Sequence, residues 1–193
     1  MYNNILLMSA IYIFTRDLRL EDNLTLVDAL KNNVNVLPIF VFNPQQITEK
    51  NTYKSNNCVQ FMIECLEELD FDLKKLGTRL FYFYGDTEDV VDKIIKKSDK
   101  YEFKSIYISK DYTFFAKERE KDLENYCRKN DLELFVIENH MLLGVDVVKK
   151  DNNEFYRKFT PYYRAAQKYK VAKPVKSTKK NFISKSFMLP TFP

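Results

Sequence analysis

Tryptophan is absent from this 193-residue sequence, and glycine (three), cysteine (three) and histidine (one) are scarce. The glycines stand only at Gly77, Gly85 and Gly144, so neither a G-x-G-x-x-G fingerprint nor a P-loop follows the first strand. A ligand at the first turn would therefore meet side chains rather than a glycine-lined backbone. One histidine, His140, and three cysteines are too few ligands for a structural metal. A histidine at a strand end reads as a turn residue rather than as the base of a Ser/His/Asp set. Cys58 and Cys65 lie seven residues apart on a predicted helix, share a face, and read as packed small side chains. Three thiols also agree with a reducing compartment. No apolar run approaches the ~20 residues that a membrane-spanning helix needs. The stretch Met1 to Met8 carries no basic residue and only a short apolar run, so no signal peptide is expected. The chain reads as cytoplasmic or nuclear, not secreted, with neither a membrane nor a metal among its partners.

What is present is globular in character: 45% hydrophobic and 30% charged residues. The length suits one ordinary domain with a tail. The net charge of +4 conceals a split. Residues 149–185 carry twelve Lys/Arg against two Asp/Glu, whereas residues 1–148 carry nineteen against twenty-five. A basic segment of this kind can touch nucleic acid, or it can be a solvated linker or an interface edge.

Apolar runs and helical periodicities alternate along the chain. Strands are expected at Ile11–Phe14, Val34–Phe42, Arg79–Tyr84, Ser105–Ser109 and Leu134–Glu138. Helices are expected at Leu24–Asn32 and Cys58–Leu76, from the turn Gly85-Asp86-Thr87 through Lys97, and at Thr113–Asn130, with a polar loop at Gln45–Asn57. Five strands separated by helices imply an α/β fold, a doubly wound five-stranded parallel sheet of Rossmann-like type. The alternation stops after His140. Residues 1–140 are thus read as the α/β domain and residues 141–193 as a basic, linker-like segment. That segment would hold a short helix at Tyr162–Lys173 and an apolar cluster at Phe187–Phe192.

In such a sheet ligands gather at the C-terminal ends of the strands. Those ends carry Arg16, Phe42, Asn43, Lys110, Asp111 and Tyr112. Aromatic rings beside a carboxylate suit a flat heteroaromatic ligand, which would lie against Asp111 and Phe42. Asp111 is equally placed to cap the helix that follows. The first turn, Thr15 to Asn23, holds two readings as well. Its charges can serve a ligand or a second domain; or Asp22 or Asn23 caps the next helix while Asp17 and Arg19 pair across the turn.

Four segments, in order, carry a family resemblance. Thr15-Arg16-Asp17-Leu18-Arg19-Leu20-Glu21-Asp22-Asn23 resembles the opening signature of the DNA photolyase/cryptochrome family, Phe-Arg-x-Asp-Leu-Arg-x-x-Asp-Asn. Pro38 to Pro44 resembles that family's second strand. Lys110-Asp111-Tyr112-Thr113-Phe114-Phe115-Ala116-Lys117-Glu118-Arg119-Glu120 resembles its Asp-Tyr-x-Pro segment with a downstream Arg-Asp. Tyr156-Arg157-Lys158-Phe159-Thr160-Pro161-Tyr162-Tyr163-Arg164 resembles its Tyr-x-Val-Phe-Thr-Pro-Phe segment.

The resemblance implies the family's N-terminal antenna domain, which can hold a folate, a deazaflavin or a flavin. It also implies a helical FAD-binding half that contacts DNA and repairs pyrimidine dimers with light. Nothing in this sequence corresponds to that half. FAD and DNA would therefore be reached only through it, and the chain alone is expected to be inactive as a photolyase, a truncated or split form. The family's Asn-Glu pair for folate aligns with Phe115 and Ala116, so a flavin or deazaflavin antenna is favoured over folate. Thr15 replaces the usual Arg, which stands one place later at Arg16. The alternatives are a free-standing nucleotide- or chromophore-binding or interaction module without photochemistry, and a degenerate remnant.

Overall fold

Alternate residues of the first strand face opposite sides of the sheet, and in this chain both sides are apolar. A computed structural model describes residues 7–184, Ser186 and Phe187. Its first strand, β1 (Leu7–Phe14), sends Ala10, Tyr12 and Phe14 into one buried cluster and Ile11 and Ile13 into another. A strand buried on both faces needs this near-continuous apolar run. The chain continues through α1 (Leu24–Asn32), β2 (Asn35–Phe42), α2 (Pro44–Ile47), α3 (Asn56–Lys75) and β3 (Phe81–Tyr84). It then forms α4 (Thr87–Lys96), β4 (Tyr101–Ser109), α5 (Phe114–Lys129), β5 (Glu133–Ile137) and α6 (Phe159–Ala166).

The strands lie in the order β3-β2-β1-β4-β5, and every pairing is parallel. The expected doubly wound α/β sheet is therefore present. Helices α1 and α3 cover one face through Leu26, Leu30, Leu66, Leu69 and Leu73. Helices α4 and α5 cover the other through Val90, Val91, Ile94, Leu123 and Cys127. The chain builds outward from β1 to β3, then crosses back to lay β4 on the other side of β1. This reversal opens a crevice at the C-terminal ends of β1 and β4. Among the described residues no helix is long and apolar enough to cross a membrane.

Several boundaries differ from expectation. β4 starts at Tyr101 rather than Ser105. Glu102 and Lys104 alternate there with buried Tyr101 and Phe103, so this stretch is covered on one face only. β1 starts at Leu7 rather than Ile11. The expected loop after β2 contains α2, whose first residue is Pro44 and whose N-cap is Asn43. Proline suits that position because its missing N–H would have had no helical partner. α6 runs over Phe159–Ala166 rather than Tyr162–Lys173, with Pro161 tolerated in its first turn.

The tail from Val175 does not lead away from the sheet. Val36 N–H donates to the Asn181 carbonyl and Ile183 N–H donates to the Val36 carbonyl, both at 2.9 Å. Thr78 Oγ1 donates to the Ile183 carbonyl at 2.6 Å. Ile183 is only 1% exposed and belongs to the α4/α5 core. Phe187 packs edge-on against Tyr101 with ring centroids 5.2 Å apart. The tail thus closes the N-terminal ends of the strands, opposite the crevice. Of the expected cluster Phe187–Phe192, only Phe187 lies within the described residues.

Candidate functional site: a cleft above the first turn

The turn after β1 is held by a buried carboxylate. Asp17 has no solvent exposure and makes no close ion pair among the described residues, the Arg119 charge acting on it only from a distance. Its charge is met by donors instead: the Tyr12 hydroxyl, Ser109 Oγ at 2.7 Å, Asn23 Nδ2 at 3.1 Å and the Thr15 N–H at 3.0 Å. The expected Asp17–Arg19 pair does not form. Arg19 Nη2 donates instead to the carbonyls of Asn139 at 2.7 Å and Asp22 at 3.0 Å. Asn23 is the cap of α1, its Oδ1 accepting the Leu26 N–H at 3.0 Å. Asn139, past the end of β5, donates from Nδ2 to Asn23 at 2.8 Å and to Ser109 at 3.1 Å, and its Oδ1 accepts the Leu24 N–H at 2.8 Å. One polar network therefore ties the ends of β1, β4 and β5 to the start of α1. Asp22, at φ 49°, is clasped to the tail: its N–H donates to the Val175 carbonyl and its Oδ1 accepts the Val175 N–H.

Burial, and then the neighbouring Asp17 charge, hold the Tyr12 phenol well above its ordinary range. An unfolded tyrosine ionises near pH 10. Above that pH the unfolded chain loses a proton that the folded chain keeps. The stability that Tyr12 contributes is thus complete below about pH 10 and falls by about 1.4 kcal/mol per pH unit above it, until the folded phenol titrates. Urea midpoints are expected to decline above pH 10, and Tyr12→Phe is expected to flatten that decline by one proton's worth. An equal slope in the variant would show that Tyr12 titrates normally.

Over this turn lies a cleft of about 740 Å³. Its floor is the ends of β1 and β2, with Phe14, Thr15, Phe40 and Val41. One wall is α3, presenting Cys58, Phe61, Met62 and Cys65; the other is α5, presenting Phe115, Ala116 and Arg119. Its size falls within the roughly 300–1,000 Å³ range of small-molecule sites. Its charge is unbalanced: Arg16, Arg19 and Arg119 line it against one carboxylate, Asp111.

Two of the six expected ligand residues line this cleft, Arg16 and Asp111. They form an ion pair at 3.6 Å, with the Arg16 side chain 68% exposed and that of Asp111 10%. Burial raises the Asp111 carboxyl, but the Thr113 N–H and the Arg16 charge outweigh it, and its pKa is lowered overall. The helix cap on α5 is Thr113, whose Oγ1 accepts the Ala116 N–H; Asp111 supports it by accepting the Thr113 N–H at 3.0 Å. Phe42 and Asn43 line a smaller recess of about 270 Å³ that shares Phe40, Val41, Gln46, Cys58 and Met62 with the cleft. The Asn43 amide is engaged in structure: Oδ1 accepts the Gln45 N–H at 2.8 Å and Nδ2 donates to Asp86 at 3.1 Å. Lys110 and Tyr112 line neither cavity. The Tyr112 hydroxyl donates to Glu138, which pushes its pKa up to about 12.

The α3 wall and Arg119 were not foreseen. The apolar periodicity of α3 marks a buried stripe but not which residues overhang the strand ends. Cys58 is exposed and Cys65 half-buried, so neither is the fully packed thiol expected; Cys127 is.

Comparison with known proteins gives this geometry a context. The DNA photolyase family profile matches residues 10–179. Cryptochrome-1 of Erithacus rubecula is 28% identical over 141 residues, covering 73% of this chain and 22% of its own. This chain thus spans about a fifth of the length of that relative. A photolyase from Sulfolobus tokodaii superposes with a TM-score of 0.81 at 34% identity, over 96% of this chain and 43% of its own. A class III photolyase from Agrobacterium tumefaciens shares the fold, with a TM-score of 0.81 at 19% identity. A buried signature turn, a five-stranded parallel sheet and a match over most of the chain agree: this chain belongs to the DNA photolyase family and corresponds to its N-terminal α/β domain.

Proposed function

We propose that this chain is a light-harvesting domain whose cleft binds a flavin or deazaflavin chromophore. The observation that carries the reading is the cleft itself, which joins aromatic walls to an excess of guanidinium groups at the switch point of the sheet. The Nε of Arg119 is buried there without a partner, as expected of a donor set awaiting a ligand. Phe61, Phe115 and Met62 would hold the flat ring, and Thr113 and the arginines of the cleft the polar groups of the chromophore. When bound, such a chromophore absorbs near-ultraviolet and blue light and passes the excitation on. The Sulfolobus tokodaii photolyase contains two FAD molecules, with a novel light-harvesting cofactor implied. Folate is disfavoured, because Phe115 and Ala116 put no carboxylate on the α5 wall to meet a pterin edge.

In this reading the helical FAD-binding part of a photolyase, on whichever chain it resides, docks beside the domain, and DNA is reached through that part. Support comes from α6 and its approach, where Phe155, Phe159, Tyr162 and Tyr163 are exposed, Phe159 by 74%. The 193-residue chain alone is expected to bind a flavin with quenching of its fluorescence, and to leave cyclobutane dimers unrepaired under blue light. Failure to bind any flavin or deazaflavin would overturn the antenna reading. Repair by the isolated chain would overturn the division of labour.

A further inference from the structure

The three guanidinium groups of the cleft differ in what engages them. Arg16 is exposed and faces Asp111. Arg19 is tied to the carbonyls of Asp22 and Asn139. Arg119 has neither a hydrogen bond nor an ion pair among the described residues, and its Nε is shielded from solvent. Its guanidinium carbon lies 5.9 Å from the Phe115 ring centroid, so the group stands against the aromatic wall. Burial lowers its pKa, yet an arginine retains its charge at neutral pH. The Asp111, Asp17 and Glu120 charges lie near enough to offset part of that burial, but none accepts a hydrogen bond from the group, and a buried donor left without an acceptor is costly unless a ligand completes it.

We propose that Arg119 is the phosphate-binding residue of the cleft, so that the site selects a phosphorylated chromophore over its dephosphorylated counterpart. The inference rests on the chromophore reading above. Guanidinium donors match phosphate oxygens two at a time, whereas a neutral ribityl chain offers them only weaker acceptors. The residue should therefore govern specificity more than ring binding.

The test titrates riboflavin, flavin mononucleotide and FAD into the intact chain and into Arg119→Met, following flavin fluorescence. The native chain is expected to bind the two phosphorylated flavins at least about tenfold more tightly than riboflavin. Arg119→Met should erase that difference by weakening flavin mononucleotide and FAD at least about tenfold and riboflavin far less, and Arg119→Lys should restore part of it. A second readout separates this role from a structural one. In the ligand-free protein Arg119→Met should unfold at equal or higher urea concentration than the native chain, because it removes a buried donor that has no acceptor. A lower midpoint would mean that Arg119 braces the fold. Equal affinity for riboflavin and its phosphate in the native chain would overturn the inference and leave the antenna reading standing. Absence of binding by all three flavins would overturn both.

Discussion

Replacing Asp17 with alanine is expected to cost about 3–5 kcal/mol of folding stability, a large share of the roughly 5–15 kcal/mol that holds a typical domain together. Three side-chain donors lose their charged acceptor at once: the Tyr12 hydroxyl, Ser109 Oγ and Asn23 Nδ2, which are left with the Asn23 Oδ1, the Thr25 hydroxyl and the Arg19 carbonyl. Tyr12, Ser109 and Asn23 are all buried, so water replaces the lost acceptor poorly. Each lost hydrogen bond to the charged carboxylate costs about 1.5–3 kcal/mol, reduced by what the neutral partners take up. The damage should spread, because Asn23 also caps α1 and holds Asn139. Asp17→Asn keeps the shape but turns an amide donor toward groups that themselves donate, so it should recover only part of the loss. Urea denaturation followed by circular dichroism at pH 7 measures both. A loss below about 1 kcal/mol for the alanine variant would show that the network is supported elsewhere.

This network shows how far the sequence could be read. The strands were legible because burial on both faces forces runs such as Val36–Val41. The turn at Thr15–Asn23 was conspicuous, but its charges suggested an ion pair between Asp17 and Arg19. Two things hid the true partners. Tyr12 reads as a core aromatic by its period-2 position, and Asn139 lies about 120 residues away. Nothing local couples them; parallel crossovers bring the ends of β1, β4 and β5 together. The same reasoning explains the candidate site. Arg16 and Asp111 were found because they directly follow strands. Phe61 and Arg119 were missed because they reach the cleft from helix faces, where periodicity reports burial but not its direction. Tyr112 was chosen by position, yet its hydroxyl turns to Glu138.

The departure at Thr15 also has a physical reading. Its N–H and Oγ1 approach Asp17 Oδ1 at 3.0 and 3.4 Å, and the residue lines the cleft. A short hydroxylated side chain closes the turn over the carboxylate without filling the space above it, and the guanidinium one place later meets Asp111. The turn therefore closes with no charge at residue 15, and the Arg16 charge stands at the rim of the cleft.

The tail carries the second large effect. Ile183→Asp is expected to destabilise the fold by about 4 kcal/mol or more, and Ile183→Ala by about 2–4 kcal/mol. Ile183 sits within the α4/α5 core among apolar side chains, where a carboxylate loses its hydration, and its backbone is fixed to Val36 and Thr78. Deleting residues 175–193 should act like the aspartate variant. It removes Ile183, the bridge to β2 and the Asp22 clasp together, exposing the lower edge of the sheet. Urea midpoints of the three variants give the measurement. An unchanged midpoint on deletion would mean that residues 175–193 are a dispensable linker to a domain that folds without them. Position also predicts what should not change. Ile183 lies at the N-terminal ends of the strands and the cleft lies at the opposite ends. The folded fraction of Ile183→Ala should therefore keep native flavin affinity while its stability falls. A parallel loss of both would indicate that the sheet transmits strain from the tail to the cleft.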